Sequence, residues 1–209
     1  MTYIDLTHDI HEKMPVFPGM SLPKLERPFL VNTHGYAETS INFLSHTGTH
    51  MDAPAHMLEY GKTLDSYEVS SFIGNALVIN VQTKLAIELI DVRVIENEPT
   101  NIDYLLLCTG WSNFWGNDAY FSGFPVLSQE AAKWLANREI KGIGLDCISA
   151  DASESRDFPI HHILLEKNKL IVENLKNLSQ LIGRTFMFST LPLKFANSDG
   201  SPVRAVAWF

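Results

Sequence analysis

Basic residues are in short supply. The chain carries 16 Lys and Arg against 24 Asp and Glu, a formal net charge of −8 at pH 7. No basic stripe is available to neutralise phosphates, which excludes nucleic acid as a partner and argues against docking on an anionic membrane. Cysteine is scarcer still. Only Cys108 and Cys147 occur, far apart and each in an apolar, strand-like context. Buried thiols fit them better than a disulfide, and the cytoplasm is the default compartment. No apolar run approaches the ~20 residues that span a bilayer. No basic start leads into an apolar segment, so no signal peptide is read. Internal repeats, low-complexity tracts and linkers are also missing. With 209 residues, 45% of them hydrophobic, the chain reads as one soluble domain, residues 1–209, long enough for a sizeable core.

Histidine, by contrast, is concentrated. Three of the eight histidines, His46, His50 and His56, fall in residues 45–56 beside Asp52, Gly48 and Pro54. Imidazole and carboxylate are the usual ligands of zinc, manganese and ferrous iron. On a helix, His46 and His50 share a face but Asp52 points away from His50. On a straight strand all four groups share a face, yet His46 and His56 stand roughly 33 Å apart at ~3.3 Å per residue. Neither geometry gathers them around one ion. A bent segment does, and Gly48 and Pro54 are the residues that permit a bend. The expectation is a strand that breaks near Gly48 and a loop that curls back through Pro54. A polar loop with scattered histidines is the bland alternative.

The rest of the chain reads as alternating strands and helices. Residues 3–7 form a short strand, followed by a turn-rich apolar loop through Pro15, Phe17 and Pro18. Phe17 lines a pocket or packs in the core. His8 and His11 read as surface or hydrogen-bonded histidines rather than ligands. Residues 38–44 alternate polar and apolar side chains, a strand signal that delivers the chain to His46. A short helix is expected near Asp65. Residues 74–81, 103–110 and 140–147 are nearly continuous apolar runs, as in strands buried on both faces. Residues 87–97 carry a helical pattern, and residues 128–137 a stronger one with Ser128 as N-cap. This rhythm is α/β. The aromatic stretch after Gly110, with Trp111, Phe114 and Trp115, is a candidate substrate-lining loop, with packing under a long loop as the alternative. Residues 186–194 and the chain end form two strands, with Asp199-Gly200 as a hairpin turn.

A second constellation lies late in the chain. Glu173 sits among apolar residues, where an unpaired carboxylate is costly. It needs a partner: a metal ion, a salt bridge or a helix N-terminus.

The stretch His46-x-Gly48-Thr49-His50-x-Asp52-x-Pro54-x-His56 resembles the signature of the cyclase family of metal-dependent hydrolases, which includes bacterial kynurenine formamidase (arylformamidase) and isatin hydrolase. The likeness extends over most of the chain. It covers Asp5-Leu6-Thr7, Pro15-Val16-Phe17-Pro18-Gly19, the Thr109-Gly110-Trp111 turn, His161-x-x-Leu164-Leu165, Ile171-x-Glu173-Asn174-Leu175 and Gly200-Ser201-Pro202-Val203-Arg204-Ala205. The resemblance implies a swivelling β/β/α domain with a central barrel-like mixed sheet and flanking helices. It implies two divalent ions, zinc or manganese, one held by His46, His50 and Asp52 and the other by Asp52, His161 and Glu173. His162 is the alternative to His161. It makes His56 a general acid/base rather than a ligand, with Phe17, Trp111 and Trp115 toward substrate. The implied enzyme is a hydrolase of carbon–nitrogen bonds other than peptide bonds, acting on an N-formyl aryl amine such as N-formylkynurenine, or on a cyclic amide or lactone such as isatin. Homodimers or homotetramers are implied as the assembly. A non-catalytic metalloprotein is disfavoured, because structural zinc sites are closed and cysteine-rich whereas this motif has no cysteine and a spare His56.

Overall fold

A computed structural model describes residues 1–98 and 101–209. Its strands in chain order are β1 (Tyr3–Asp5), β2 (Lys24–Phe29), β3 (Glu38–Asn42), β4 (His50–Asp52), β5 (Ile73–Asn80), β6 (Ala86–Ile87), β7 (Tyr104–Cys108), β8 (Val126–Leu127), β9 (Gly142–Leu145), β10 (Leu170–Glu173), β11 (Thr185–Pro192) and β12 (Gly200–Trp208). The helices are α1 (Val31–His34), α2 (Leu89–Val92), α3 (Gln129–Ala136) and α4 (Pro159–Leu165), with several 3-10 turns between.

The main sheet runs β1-β12-β11-β5-β7-β9-β10-β4, and β4 pairs back onto β12, so the sheet closes on itself. Strands β5, β7, β9 and β10 are parallel neighbours, whereas β4, β11 and β12 join antiparallel. The barrel-like mixed sheet with flanking helices is therefore the architecture the chain adopts.

The apolar runs of β5 and β7 explain the layering. Ala76, Val78, Tyr104 and Leu106 face one core with Phe186, Phe188 and Ala205. Leu77, Ile79, Leu105 and Leu107 face the other, under Ala132 and Leu135 of α3 and Leu164 of α4. Successive strand residues point to opposite faces, so strands covered on both sides must be apolar throughout. Helix α3 begins where expected, with the Ser128 hydroxyl accepting a hydrogen bond from the Ala131 amide.

Three readings need correction. The strand at residues 38–44 exists as β3, but every residue in it is exposed and it pairs only with β2. It belongs to an arm outside the barrel, so the rigid element that carries His50 and Asp52 is β4 instead. The alternation of β3 gave no hint that neither of its faces meets a core. The helical pattern at 87–97 is realised as the short α2 followed by a 3-10 segment, Arg93–Asn97. Asp199-Gly200 is not a hairpin turn. Pro192 pairs with Val203, while Gly200 pairs with Asp52 of β4. The start of β12 is thus used to close the barrel, and residues 193–199 form a longer connection.

Candidate metal centre

Strand β4 is only three residues long, but it is held on both edges, by β10 and β12. His50 and Asp52 are two residues apart and share a face, opposite Met51, which enters the barrel core. Glu173 lies directly across from His50 in the antiparallel register. The strand pairing thus sets one imidazole and two carboxylates side by side. Ahead of β4 the backbone turns at Gly48, whose φ of 66° lies in the left-handed region. That turn returns His46 to the same place. Beyond β4, Pro54–His56 forms a 3-10 turn that brings His56 over His46, with ring centroids 3.8 Å apart.

Asp52 is central. Its Oδ1 is 2.7 Å from His46 Nδ1 and 3.2 Å from His50 Nε2, while its Oδ2 faces His161 Nε2 at 3.6 Å. Glu173 approaches His50 Nε2 at 3.5 Å and His161 Nε2 at 3.4 Å, and accepts a hydrogen bond from the Ala150 amide. Donor atoms of His46, His50 and Asp52 lie within 4.8 Å of one another, as do those of Asp52, His161 and Glu173. A third such group joins His46, His56 and Asp199. His162 is only partly buried and belongs to none of these groups.

The second nitrogen of each ring is also committed. His161 Nδ1 is 2.7 Å from Asp151 Oδ2, His46 Nε2 is 3.0 Å from Asp199 Oδ2, and His50 Nδ1 is 2.9 Å from the Gly48 carbonyl. Such outer acceptors fix ring orientation and tautomer in metal sites. Asp151 has a second task. Its carboxylate accepts the Ile160 and His161 amides at the start of α4. One buried residue therefore both caps the helix and aims the imidazole. Gly48 O also accepts from the Asn174 amide, whose Oδ1 in turn accepts from the buried Tyr120 hydroxyl at 2.7 Å. Gly200 leaves room for the cluster: a Cβ there would lie 2.4 Å from His46 Cε1.

The electrostatics follow from this crowding. Burial opposes the charged form of His46, but Asp199 and Asp52 outweigh it and raise its pKa to about 10. Burial likewise opposes charge on His161, yet Asp151, Asp52 and Glu173 hold it well above the ordinary value. Asp52 is held well below the carboxylate range despite complete burial, because His50, His161 and His46 surround it. His46 lowers Asp199 to about 2. His56 is different: burial lowers it to about 4, with His46, His161 and His50 acting the same way against Asp52, so its ring is neutral at pH 7. The donor set fits a divalent ion. Asp52 Oδ2 is buried and has no hydrogen-bond partner, and an anionic oxygen left so is costly unless a cation faces it.

A cavity of about 400 Å³ opens over the cluster, walled by Val16, Phe17, Met20, Leu44, Met57, Ile148 and Phe158. Phe17 lies where a substrate-lining residue would. Trp111 and Trp115 do not line the cavity. Trp115 stacks on His8 at 3.9 Å and Trp111 packs on Phe114 and Phe124. The aromatic loop thus packs around the site, and Phe158 supplies the second ring. Sequence reasoning missed Asp151, Asp199, Asn174, Tyr120 and Phe158. Asp199 falls in what the sequence reads as a hairpin turn, and nothing in the spacing around Asp151 singles it out. Only the proximity of Asn174 to Glu173 was a usable signal.

The chain is similar to known proteins in sequence and in fold. The family model described as "Putative cyclase" matches residues 4–152. Kynurenine formamidase of Geobacillus thermodenitrificans is 31% identical, over 97% of this chain and 95% of that protein. Isatin hydrolase A from Ralstonia solanacearum superposes with a TM-score of 0.86 at 26% identity, over 99% of this chain and 91% of that one. A protein from Bacillus stearothermophilus described as a predicted metal-dependent hydrolase gives a TM-score of 0.80 at 28% identity, over 99% and 97%. By the family model over residues 4–152 and by its match to relatives along most of its length, the chain belongs to the putative cyclase family.

Proposed function

We propose that this protein is a metal-dependent hydrolase that cleaves a small amide, in the first instance an N-formyl aryl amine. The observation that carries the reading is a charge imbalance. Asp52, Asp151, Glu173 and Asp199 converge on one cluster, and among the described residues no Lys or Arg pairs with any of them. Two divalent cations would match four negative groups. His46, His50 and Asp52 would hold one ion, and Asp52, His161 and Glu173 the other; the two oxygens of Asp52 face the two histidine sets. Bound there, such ions polarise a carbonyl and lower the pKa of water toward neutrality.

The chain's own groups supply the rest. His56 has a neutral ring at the mouth of the cluster and can accept a proton from the attacking water. It then returns that proton to the leaving nitrogen, which must be protonated to depart as an amine. The apolar walls around Phe17 and Phe158 hold an aryl group and exclude bulk water. Kynurenine formamidase relatives support the formamide reading. The isatin hydrolase fold supports a second one, a cyclic amide, which the same groups would open.

The test is to purify the protein, count bound metal, and follow formate release from an N-formyl aryl amine after loading with zinc or manganese. Turnover abolished by chelator and restored by metal is expected. Metal-loaded protein that hydrolyses neither formamides nor isatin would overturn the reading.

We further infer a homodimer or homotetramer, supported by the exposed arm, where Leu30, Val31, Tyr36 and Ile41 lie uncovered. The two buried, unpaired thiols, Cys108 and Cys147, support a reducing compartment such as the cytoplasm. Among the described residues, no helix is long and apolar enough to cross a membrane.

A further inference from the structure

One backbone conformation beside the cavity is out of place. Among the described residues, five other than glycine have a positive φ, and four of them are asparagines: Asn168, Asn174, Asn177 and Asn197. Asparagine tolerates the left-handed region because its short amide bonds locally. The fifth is Phe158, at φ 42° and ψ 52°. A bulky side chain there is a true outlier, and such strain persists only where the surroundings hold it. Pro159 does not demand it, because a residue before proline favours extended backbone. Nor does the helix. Phe158 stands at the N-cap of α4 without a side-chain cap, and Asp151 takes the first amides of that helix instead. A turn needing only this shape would be served by glycine or asparagine.

The side chain must therefore be the reason. Its ring lines the cavity and stands at 90° to the ring of His161, with centroids 6.1 Å apart. Phe17, the other ring of the cavity, packs against the core beneath α3 and α4, whereas Phe158 joins neither core cluster. Core burial does not offset the strain at Phe158, so its ring is kept for what enters the cavity. Resting on the amide-hydrolase reading above, we infer that Phe158 is the specificity-determining residue for the ring of the substrate: the left-handed backbone aims its side chain at the aryl group beside the scissile amide. That contact lies away from the bond that breaks and is made equally before and during reaction. It therefore acts on KM rather than on kcat.

Three variants of the metal-loaded chain test this with formanilide. Phe158→Gly relieves the backbone and removes the ring. It is expected to bind as much metal as the unmodified protein, to melt no lower, and to raise KM about tenfold or more with a much smaller change in kcat. Phe158→Leu keeps an apolar side chain in the same strained backbone, so KM should rise about threefold with no gain in stability. Phe158→Tyr, the conservative variant, restores the ring and is expected to recover most of the lost affinity. A wild-type KM in the glycine and leucine variants overturns the inference. So does a glycine variant that melts well below wild type, since the ring would then be holding the fold. Metal-loaded wild-type protein that hydrolyses neither formanilide nor isatin overturns the hydrolase reading instead. The Kd of formanilide then decides the inference: weaker binding to the glycine variant supports it, and equal binding sinks it.

Discussion

Each of three imidazoles in this site has one nitrogen facing the cluster and the other held by a named acceptor. The acceptors differ. Asp151 and Asp199 hold His161 and His46, whereas His50 relies on a carbonyl steadied by Asn174 and Tyr120. Tyr120→Phe removes only a hydroxyl, but leaves the buried Asn174 Oδ1 without that donor. A loss of roughly 1–3 kcal/mol in folding stability is expected, together with weaker zinc retention in a chelator competition. Wild-type zinc retention in that variant would show that His50 needs no such support. His56 should behave in the opposite way. His56→Ala is expected to keep its metal and lose roughly 10²-fold or more in turnover, the range for a lost acid/base group. Metal analysis beside steady-state kinetics separates the two cases; metal lost together with activity would instead make His56 a ligand.

Short elements do most of the positioning. The three residues of β4 are rigid because both edges are paired, and α4 is rigid at its start because Asp151 caps it. The segment after β1 is fixed by an aromatic stack, His8 on Trp115 at 3.9 Å. Burial, aided by Lys176 and opposed by Asp9 and Asp5, lowers His8 from 6.5 to about 4. A histidine buried neutral takes up its proton more readily when unfolded. Its contribution to stability is therefore complete above pH 6.5 and is lost as the pH falls from there toward 4. His8→Phe keeps a ring for the stack and removes the titration. Denaturation of that variant should depend less steeply on pH across this window, with the remainder due to groups such as His56. An unchanged slope would mean that His8 is not the titrating group.

The assembly poses a separate question. A two-stranded hairpin has little stability alone, yet β2 and β3 contribute almost nothing to either core, and Ile41 of β3 and Tyr36 of the connection before it are exposed. If the arm joins copies of the chain, Ile41→Asp should shift the species seen by light scattering toward monomer while leaving the barrel's unfolding transition in place. A wild-type protein that is monomeric at micromolar concentration would discard the homo-oligomer.

How much of this was legible beforehand varies with the physics involved. Periodicity and capping are local, so the buried strands β5, β7 and β9 and the Ser128-capped α3 could be read directly. Local, too, was the crowding of His46, His50, Asp52 and His56, since Gly48 and Pro54 advertise the bend that gathers them. What the sequence by itself determined is therefore the α/β rhythm and the identity of the cluster's first half, with Glu173 marked by its apolar surroundings and His161 by resemblance alone. Only the tertiary structure decided which distant groups stand behind it and hold its rings. Asp199 arrives because β12 closes the barrel onto β4, Asp151 because α4 needs a cap, and Tyr120 because the aromatic loop folds beneath the site. Trp111 and Trp115 went to packing and Phe158 to the cavity for the same reason. A side chain's neighbours across a closed sheet are set by strand order and register, and neither is written in the spacing of residues along one strand.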